Sequence, residues 1–324
     1  MKPPRSISAI VPVYNSQNSL PTLIDRLEPI LQQVSNDFEI ILVDDGSRDA
    51  SWEIIDRLAQ GNERIRGINM MRNYGQHNAL LAGIRAARKE LVVTLDDDLQ
   101  NPPEEIPRML EQMEAGYDVV YGYPDQEQHG FLRDLASQMT KIALRSAMGV
   151  ETARRVSPFR IFRTQIRDAF AEYRSPHVSI DALLSWGTTR FAAIPVRHDA
   201  RTVGSSNYTF RKLIGHALNM ITGFTILPLQ LSSIVGFGFT LFGFLVFAYV
   251  LLRFFIAGGS VPGFPFLASV IAIFSGAQLF ALGILGEYLA RVHFRLMDRP
   301  PYAIRRHIEE SNPVSIPAST TPDP

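Results

Sequence analysis

Two long stretches without a formal charge constrain this chain more than any other feature. Residues 213–252 and 254–286 contain no Asp, Glu, Lys or Arg. Within them, residues 231–252 and 266–286 are 22 and 21 uncharged, mostly apolar residues. At about 1.5 Å of rise per residue, a helix over either one crosses a hydrocarbon core of about 30 Å. The intervening Gly258-Gly259-Ser260-Val261-Pro262-Gly263 is turn-forming sequence, too short for a domain. The pattern reads as a transmembrane hairpin with spans over 231–256 and 264–290. Arg211 and Lys212 precede it and Arg291, Arg295 and Arg299 follow it, whereas the connector has no basic residue. The positive-inside rule therefore puts both ends in the cytoplasm, in a multi-pass protein of the cytoplasmic membrane. Arg253, near the outer end of the first span, can snorkel to the headgroups. The alternative, two buried helices of a large soluble core, is disfavoured by charge-free runs of this length.

The rest of the chain divides around this anchor. Residues 1–209 read as a soluble domain. Residues 210–230, interrupted by His216, Asn219 and Pro228, read as an interfacial amphipathic helix. Residues 291–310 read as a cytoplasmic segment, and the Pro-, Ser- and Thr-rich stretch 311–324 as a disordered tail. The N-terminal residues lack the apolar core of a signal peptide. With 32 Lys+Arg against 32 Asp+Glu, the chain lacks the basic excess of a general nucleic-acid binder. The absence of Cys excludes disulfides, a thiolate nucleophile and thiolate-ligated metal centres.

In the soluble domain, apolar runs at 6–13, 38–43, 65–70, 91–95 and 118–121 predict strands. Amphipathic stretches at 19–34, 51–60, 76–88 and 103–115 predict helices between them. This alternation predicts an α/β fold with a mostly parallel sheet covered on both faces. Ligands bind such sheets outside the carboxyl ends of the strands, and that is where the polar motifs fall. Pro12-Val13-Tyr14-Asn15 ends the first strand and Asp44-Asp45-Gly46-Ser47 the second. Arg72-Asn73-Tyr74-Gly75 ends the third and Asp96-Asp97-Asp98 the fourth. Each alone is ordinary turn chemistry; four on one edge are a candidate site. No Gly-x-Gly-x-x-Gly follows the first strand and no P-loop is present. Carboxylates at alternate positions of an extended segment, as in Asp96-Asp97-Asp98-Leu99-Gln100, can share a hard cation with phosphates.

Taken together, Val11-Pro12-Val13-Tyr14-Asn15, Val43-Asp44-Asp45-Gly46-Ser47 and the run from Asp96 to Pro103 resemble family 2 glycosyltransferases of the GT-A fold. The likeness is to the branch that transfers a sugar from a nucleotide to a polyprenyl phosphate. It extends from about Ser6 to Tyr302, closing with Gly286-Glu287-Tyr288-Leu289 and Arg299-Pro300. The stretches 72–77 (RNYGQH) and 101–108 (NPPEEIPR) look most like members that transfer formamidoarabinose. The resemblance implies a nucleotide-sugar donor bound by Pro12, Tyr14, Asn15, Asp45, Asn73, Gly75 and Gln76, with Asp96 and Asp97 facing ribose and diphosphate. It also implies Mg²⁺ or Mn²⁺ held by Asp98 and Gln100. The lipid phosphate would meet Arg133 and Ser137, which share a helix face, together with Arg160 and Arg201. A homo-oligomer, tetrameric in relatives, is implied as well.

The chain departs from the family pattern at several positions. Ser16 replaces a usual Glu, Gly122-Tyr123-Pro124 replaces Gly-Ser-Arg, and Asn207 replaces a Lys. The carboxylate usually found shortly before Phe-Arg would stand at Arg154 or Pro158 and is missing. A phosphomonoester with a second pKa of about 6 is already a nucleophile at neutral pH, so a dedicated base is less necessary. Asp181, in the otherwise apolar Ser179-Ile180-Asp181-Ala182-Leu183, is a candidate catalytic carboxylate; the alternative is a structural pairing with an Arg. A processive polysaccharide synthase would show Gln-x-x-Arg-Trp and further spans, and neither occurs. A transferase using soluble acceptors would not need the hairpin. A catalytically degenerate scaffold or flippase partner is the remaining alternative, and the intact Asp96-x-Asp98-x-Gln100 opposes it.

Overall fold

The computed structural model describes residues 6–124, 155–175, 178–199, 227–257, 263–297 and 300–308. The expected interfacial helix, the connector and the tail fall largely or wholly outside these residues. The chain forms two compact units. One comprises residues 1–128, 147–206 and 300–324; the other comprises 129–146 and 207–299.

The first unit is built on the predicted alternation. β1 (Ser6–Val13), β2 (Asp37–Asp44), β3 (Ile65–Met70) and β4 (Leu91–Thr94) are separated by α1 (Leu20–Val34), α2 (Ser51–Gly61) and α3 (Gln76–Ala86). Then come α4 (Ile106–Glu114), β5 (Val119–Pro124), β6 (Arg160–Arg163), α5 (Ile180–Gly187) and β7 (Phe191–Val196). The last strand, β8 (Ile304–Ile308), returns to this sheet after the apolar helices. The sheet order is β7-β5-β6-β4-β1-β2-β3-β8. Strands β4-β1-β2-β3 are mutually parallel, as are β5 and β7. β6 runs antiparallel to both β4 and β5, and β8 antiparallel to β3.

The expected two-sided burial holds. Ile7, Ala9, Val11 and Val13 point to one face, where they join Leu20, Leu23, Leu27 and Leu31 of α1, Ile55 of α2 and Met109 of α4 in a single core. The three-and-four spacing of those α1 residues is what places them on one stripe. α3 covers the other face. A Cβ at Gly83 would lie 2.4 Å from Ile10, so only glycine permits this approach of helix to strand. The register Pro12↔Val43 and Val13↔Asp44 brings the carboxyl ends of β1 and β2 level, setting their polar loops side by side.

The opposite edge carries a buried polar cluster. Arg66 Nη1 lies 2.6 Å from Glu39 Oε2 and also donates to the Ala86 carbonyl at 2.9 Å. Glu39 Oε1 accepts from the Ser8 hydroxyl and from the Arg88 amide, both at 2.7 Å. These contacts join β1, β2 and β3 to the end of α3.

In the second unit, α6 (Leu227–Ala257) and α7 (Phe264–Leu296) contain the candidate spans Leu229–Tyr249 and Ile273–Ala290. Their apolar side chains are mostly exposed, Phe237 at 72% and Phe255 at 79%. Helices of a soluble core would bury them, so the buried-core alternative does not describe this pair. The two helices meet where Phe274 packs edge-on to Phe239 at 5.7 Å and beside Gly243.

Removing one partner of a buried ion pair costs about 3–5 kcal/mol, whereas apolar replacement of both is often neutral. Glu39→Ala is therefore expected to lower stability by about that amount, and Glu39→Met with Arg66→Leu to recover most of it, measured by denaturant unfolding.

Candidate active site

The loops after β1, β2, β3 and β4 form one edge of the sheet, held together by their own acidic side chains. Asp45, buried at the end of β2, accepts the Tyr74 amide on Oδ1 at 2.7 Å and the Gly75 amide on Oδ2 at 2.8 Å. Burial pushes its carboxyl up to about 6 despite these two donors. Gly46 makes the approach possible. Its φ is +69°, and a Cβ there would stand 2.6 Å from the Arg72 carbonyl carbon. Asn73, in the same loop, is exposed.

The β1 loop is tied to the other two carboxyl-rich turns. Asn15, in the left-handed region at φ 54°, donates its amide to Ser47 Oγ at 3.0 Å, and its Oδ1 accepts the Arg48 amide at 2.8 Å. Asp97 Oδ2 accepts the Tyr14 amide at 3.2 Å and the Ser16 hydroxyl. Burial raises the Asp97 carboxyl. Ser16, noted in the sequence only as a departure, is thus the group that holds Asp97. Gln76 Nε2 donates to Asp96 Oδ1 at 2.6 Å, linking the start of α3 to the acidic turn. Pro12 is buried at the end of β1, and Tyr14 is 39% exposed.

The acidic turn has a strained centre. Leu99 adopts φ 62°, uncommon for a branched residue, and its side chain is buried in the core. The Gln100 amide donates to Asp98 Oδ1 at 3.1 Å, and the Gln100 carbonyl accepts the Asp199 amide at 2.9 Å. Asp199, beyond the end of β7, is thereby held against this turn.

No three His, Asp or Glu side chains converge as a ready-made metal cage among the described residues. A hard cation shared with phosphates needs only one or two protein carboxylates. Asp98 and Gln100, the pair expected to hold it, lie on a turn rather than on an extended segment, and their carboxylate and side-chain amide oxygens are of the hard-donor type such a cation takes.

Asp181 lies in a different setting. Its Oδ1 accepts Arg160 Nη1 at 2.5 Å and the Tyr121 hydroxyl at 3.1 Å, all three side chains being buried. Burial and the adjacent Asp181 charge hold the Tyr121 phenol well above its usual range, so it is a donor here. Arg160 is only 1% exposed. Register places it opposite Thr94 on one side and Tyr121 on the other. His77 Nδ1 accepts the Ile180 amide at 3.3 Å at the start of the Asp181 helix. Arg133, Ser137 and Arg201 lie outside the described residues.

A profile of the family described as "Glycosyl transferase family 2" matches residues 8–174. This chain belongs to that family, and is a glycosyltransferase. It is 37% identical to "Undecaprenyl-phosphate 4-deoxy-4-formamido-L-arabinose transferase" of Pseudomonas syringae, over 99% of this chain and 97% of that one. It is 36% identical to the protein of the same description from Pectobacterium carotovorum, over 96% of each. Among solved structures, glucosyl-3-phosphoglycerate synthase from Mycobacterium tuberculosis, in complex with Mn²⁺, UDP-glucose and phosphoglyceric acid, superposes with a TM-score of 0.51 at 19% identity. That alignment covers 67% of this chain and 78% of the synthase. The shared fold is the GT-A-like α/β domain expected from the sequence.

The raised Asp45 group gives a pH signature. Its folded pKa lies above the ordinary carboxylate value, so its protonated form favours the fold: that stability is complete below about pH 4 and lost as pH rises through about 6. Protonation instead removes acceptor strength from the amides of the 71–75 loop. Amide hydrogen exchange, corrected for intrinsic rates, is therefore expected to show Tyr74 and Gly75 losing protection below about pH 6. In Asp45→Asn their protection is expected to be low at every pH.

Proposed function

We propose that this protein is a membrane-embedded inverting glycosyltransferase that moves a sugar from a nucleotide-sugar donor to undecaprenyl phosphate or a related polyprenyl phosphate. The observation that carries the reading is the extent of the similarity. Relatives described as undecaprenyl-phosphate transferases align over 96–99% of the chain, with both apolar helices included. An enzyme acting only on soluble acceptors has no need of those helices, whereas a long-chain isoprenoid phosphate keeps its head at the bilayer surface.

The domain plan of the sequence analysis serves this reading. The catalytic domain takes the donor, the interfacial segment 210–230 brings the reaction to headgroup level, and the two spans anchor it. The strand β7 precedes the spans and β8 of the same sheet follows them, which supports an even number of crossings. The flanking Arg and Lys residues support a catalytic domain on the cytoplasmic side of the inner membrane.

In the donor site Pro12, Tyr14, Asn15, Asp45, Asn73, Gly75 and Gln76 surround the nucleoside, and Asp96 and Asp97 border the ribose and diphosphate. Asp98 and Gln100 would hold Mg²⁺ or Mn²⁺, which when bound neutralises charge on the departing nucleoside diphosphate. The residues of the chain bind and orient. Arg133, Ser137 and Arg201 receive the lipid phosphate and align one of its oxygens with the anomeric carbon for in-line displacement. A phosphate dianion has no proton to lose, so the missing carboxylate at Arg154 and Pro158 does not prevent turnover. Asp181 and Arg160, buried and paired, act as a mutually neutralising positioning pair rather than as catalytic carboxylate and phosphate ligand. With the Tyr121 hydroxyl on the same carboxylate, they tie α5 to β5 and β6.

Asp98→Asn is expected to lower transfer to undecaprenyl phosphate by about 10²–10³-fold, read as organic-extractable label from a labelled donor. Near-normal transfer by this variant would contradict the site assignment. Asp181→Asn is expected to slow the reaction together with a loss of thermal stability. A rate loss at unchanged stability would return Asp181 to a catalytic role.

A further inference from the structure

The loop that carries Arg72 to Gly75 is held from two sides. On the inner side stand Asp45 and Gly46, together with Asn78, whose Nδ2 donates to the Tyr74 carbonyl at 2.7 Å. On the outer side stands the post-span segment that ends in β8. The β3–β8 ladder pairs Ile68 with His307 and Asn69 with Arg306, then slips so that Met70 faces Ile304. Arg305 is thus the extra residue of a bulge, a device that re-aims a side chain. Its guanidinium turns to the Met71 carbonyl, where Nη2 donates at 3.1 Å. The Met71 amide in turn donates to the Ala303 carbonyl at 2.9 Å. Both polar groups of the residue at which the chain leaves β3 are therefore held by residues 303–305. That fixes the direction in which the 72–75 loop departs towards Asp45.

We infer that the segment after the second apolar helix completes the donor site, with Arg305 as a positioning residue for nucleotide binding. Arg305 acts through Met71 on the loop whose Tyr74 and Gly75 amides meet Asp45. The inference rests on the reading of residues 72–76 as part of the nucleotide site. It deepens that reading by placing a determinant of donor affinity beyond the membrane-spanning helices. The neighbouring Arg306 provides an internal comparison. It lies on the same strand and pairs at 3.8 Å with Asp56, away from Met71.

The test uses the full-length protein in detergent. UDP, GDP, CDP and dTDP are titrated in turn with Mn²⁺ by calorimetry, and donor and acceptor KM are measured alongside. Arg305→Ala is expected to weaken binding of the accepted nucleotide by about 3–10-fold and to raise donor KM equally. kcat and acceptor KM should stay near the unmodified values. Arg305→Lys, which keeps a donor, is expected to recover most of the loss, and Arg306→Ala to bind like the unmodified protein. Unchanged affinity in Arg305→Ala would overturn the inference while leaving the site reading standing. An equal loss in Arg306→Ala would overturn it too, because the effect would then belong to strand integrity. If the unmodified protein bound none of the four nucleotides, the site reading would fall and this inference with it.

Discussion

A carboxylate buried at the end of a parallel strand needs donors, and here the backbone of the neighbouring loop supplies them. Asp45 at the end of β2 takes two amides from the loop after β3, and Asp97 after β4 takes an amide and a hydroxyl from the loop after β1. Register has already levelled the strand ends, so each carboxylate reaches across to an adjacent loop. Loops that would otherwise move independently become one surface. Two residues in left-handed conformations, Asn15 and Leu99, show that this surface is not the lowest-energy arrangement of each loop alone. The buried Glu39–Arg66 cluster at the opposite edge holds the same strands together from behind.

The same economy bears on the chemistry. Asp181, the candidate catalytic carboxylate, has its charge met by Arg160 and Tyr121. In the proposed reaction the nucleophile arrives already ionised. The demand on the protein is then to place two anions, the lipid phosphate and the donor diphosphate, on either side of one sugar carbon. Orientation and charge neutralisation meet that demand better than proton transfer does. The apolar helices, with their exposed side chains, keep the isoprenoid carrier within reach in this account.

Much of the sheet was legible because its strands are continuous apolar runs and its helices carry clear stripes; β1 to β5 and α1 to α4 fall within a few residues of the sequence reading. β6, β7 and β8 were not foreseen. Their runs are short, and two of the three contain charged residues whose partners are distant in sequence, as with Arg160 and Asp181 or Arg306 and Asp56. The strand ends announced this polar edge, the candidate site, through Asp45 and Asp96 to Asp98. The individual ties did not show, because Ser16 on Asp97, His77 on the Ile180 amide and Asp199 on the Gln100 carbonyl depend on tertiary register. His77 stood inside the 72–77 stretch and Ser16 stood out as a departure from the family pattern, whereas Asp199 carried no sequence signal. The alternative of pairing for Asp181 was open in the sequence, and the structure supplies the partner.

The most direct measurement of the central claim is the mass of the lipid product. Membranes holding this protein would be incubated with a panel of nucleotide sugars, Mg²⁺ or Mn²⁺ and undecaprenyl phosphate, and the organic phase analysed by mass spectrometry. The account predicts a new species equal to undecaprenyl phosphate plus one glycosyl unit, formed with a single donor class. Release of free sugar, or its appearance only on water-soluble acceptors, would contradict it.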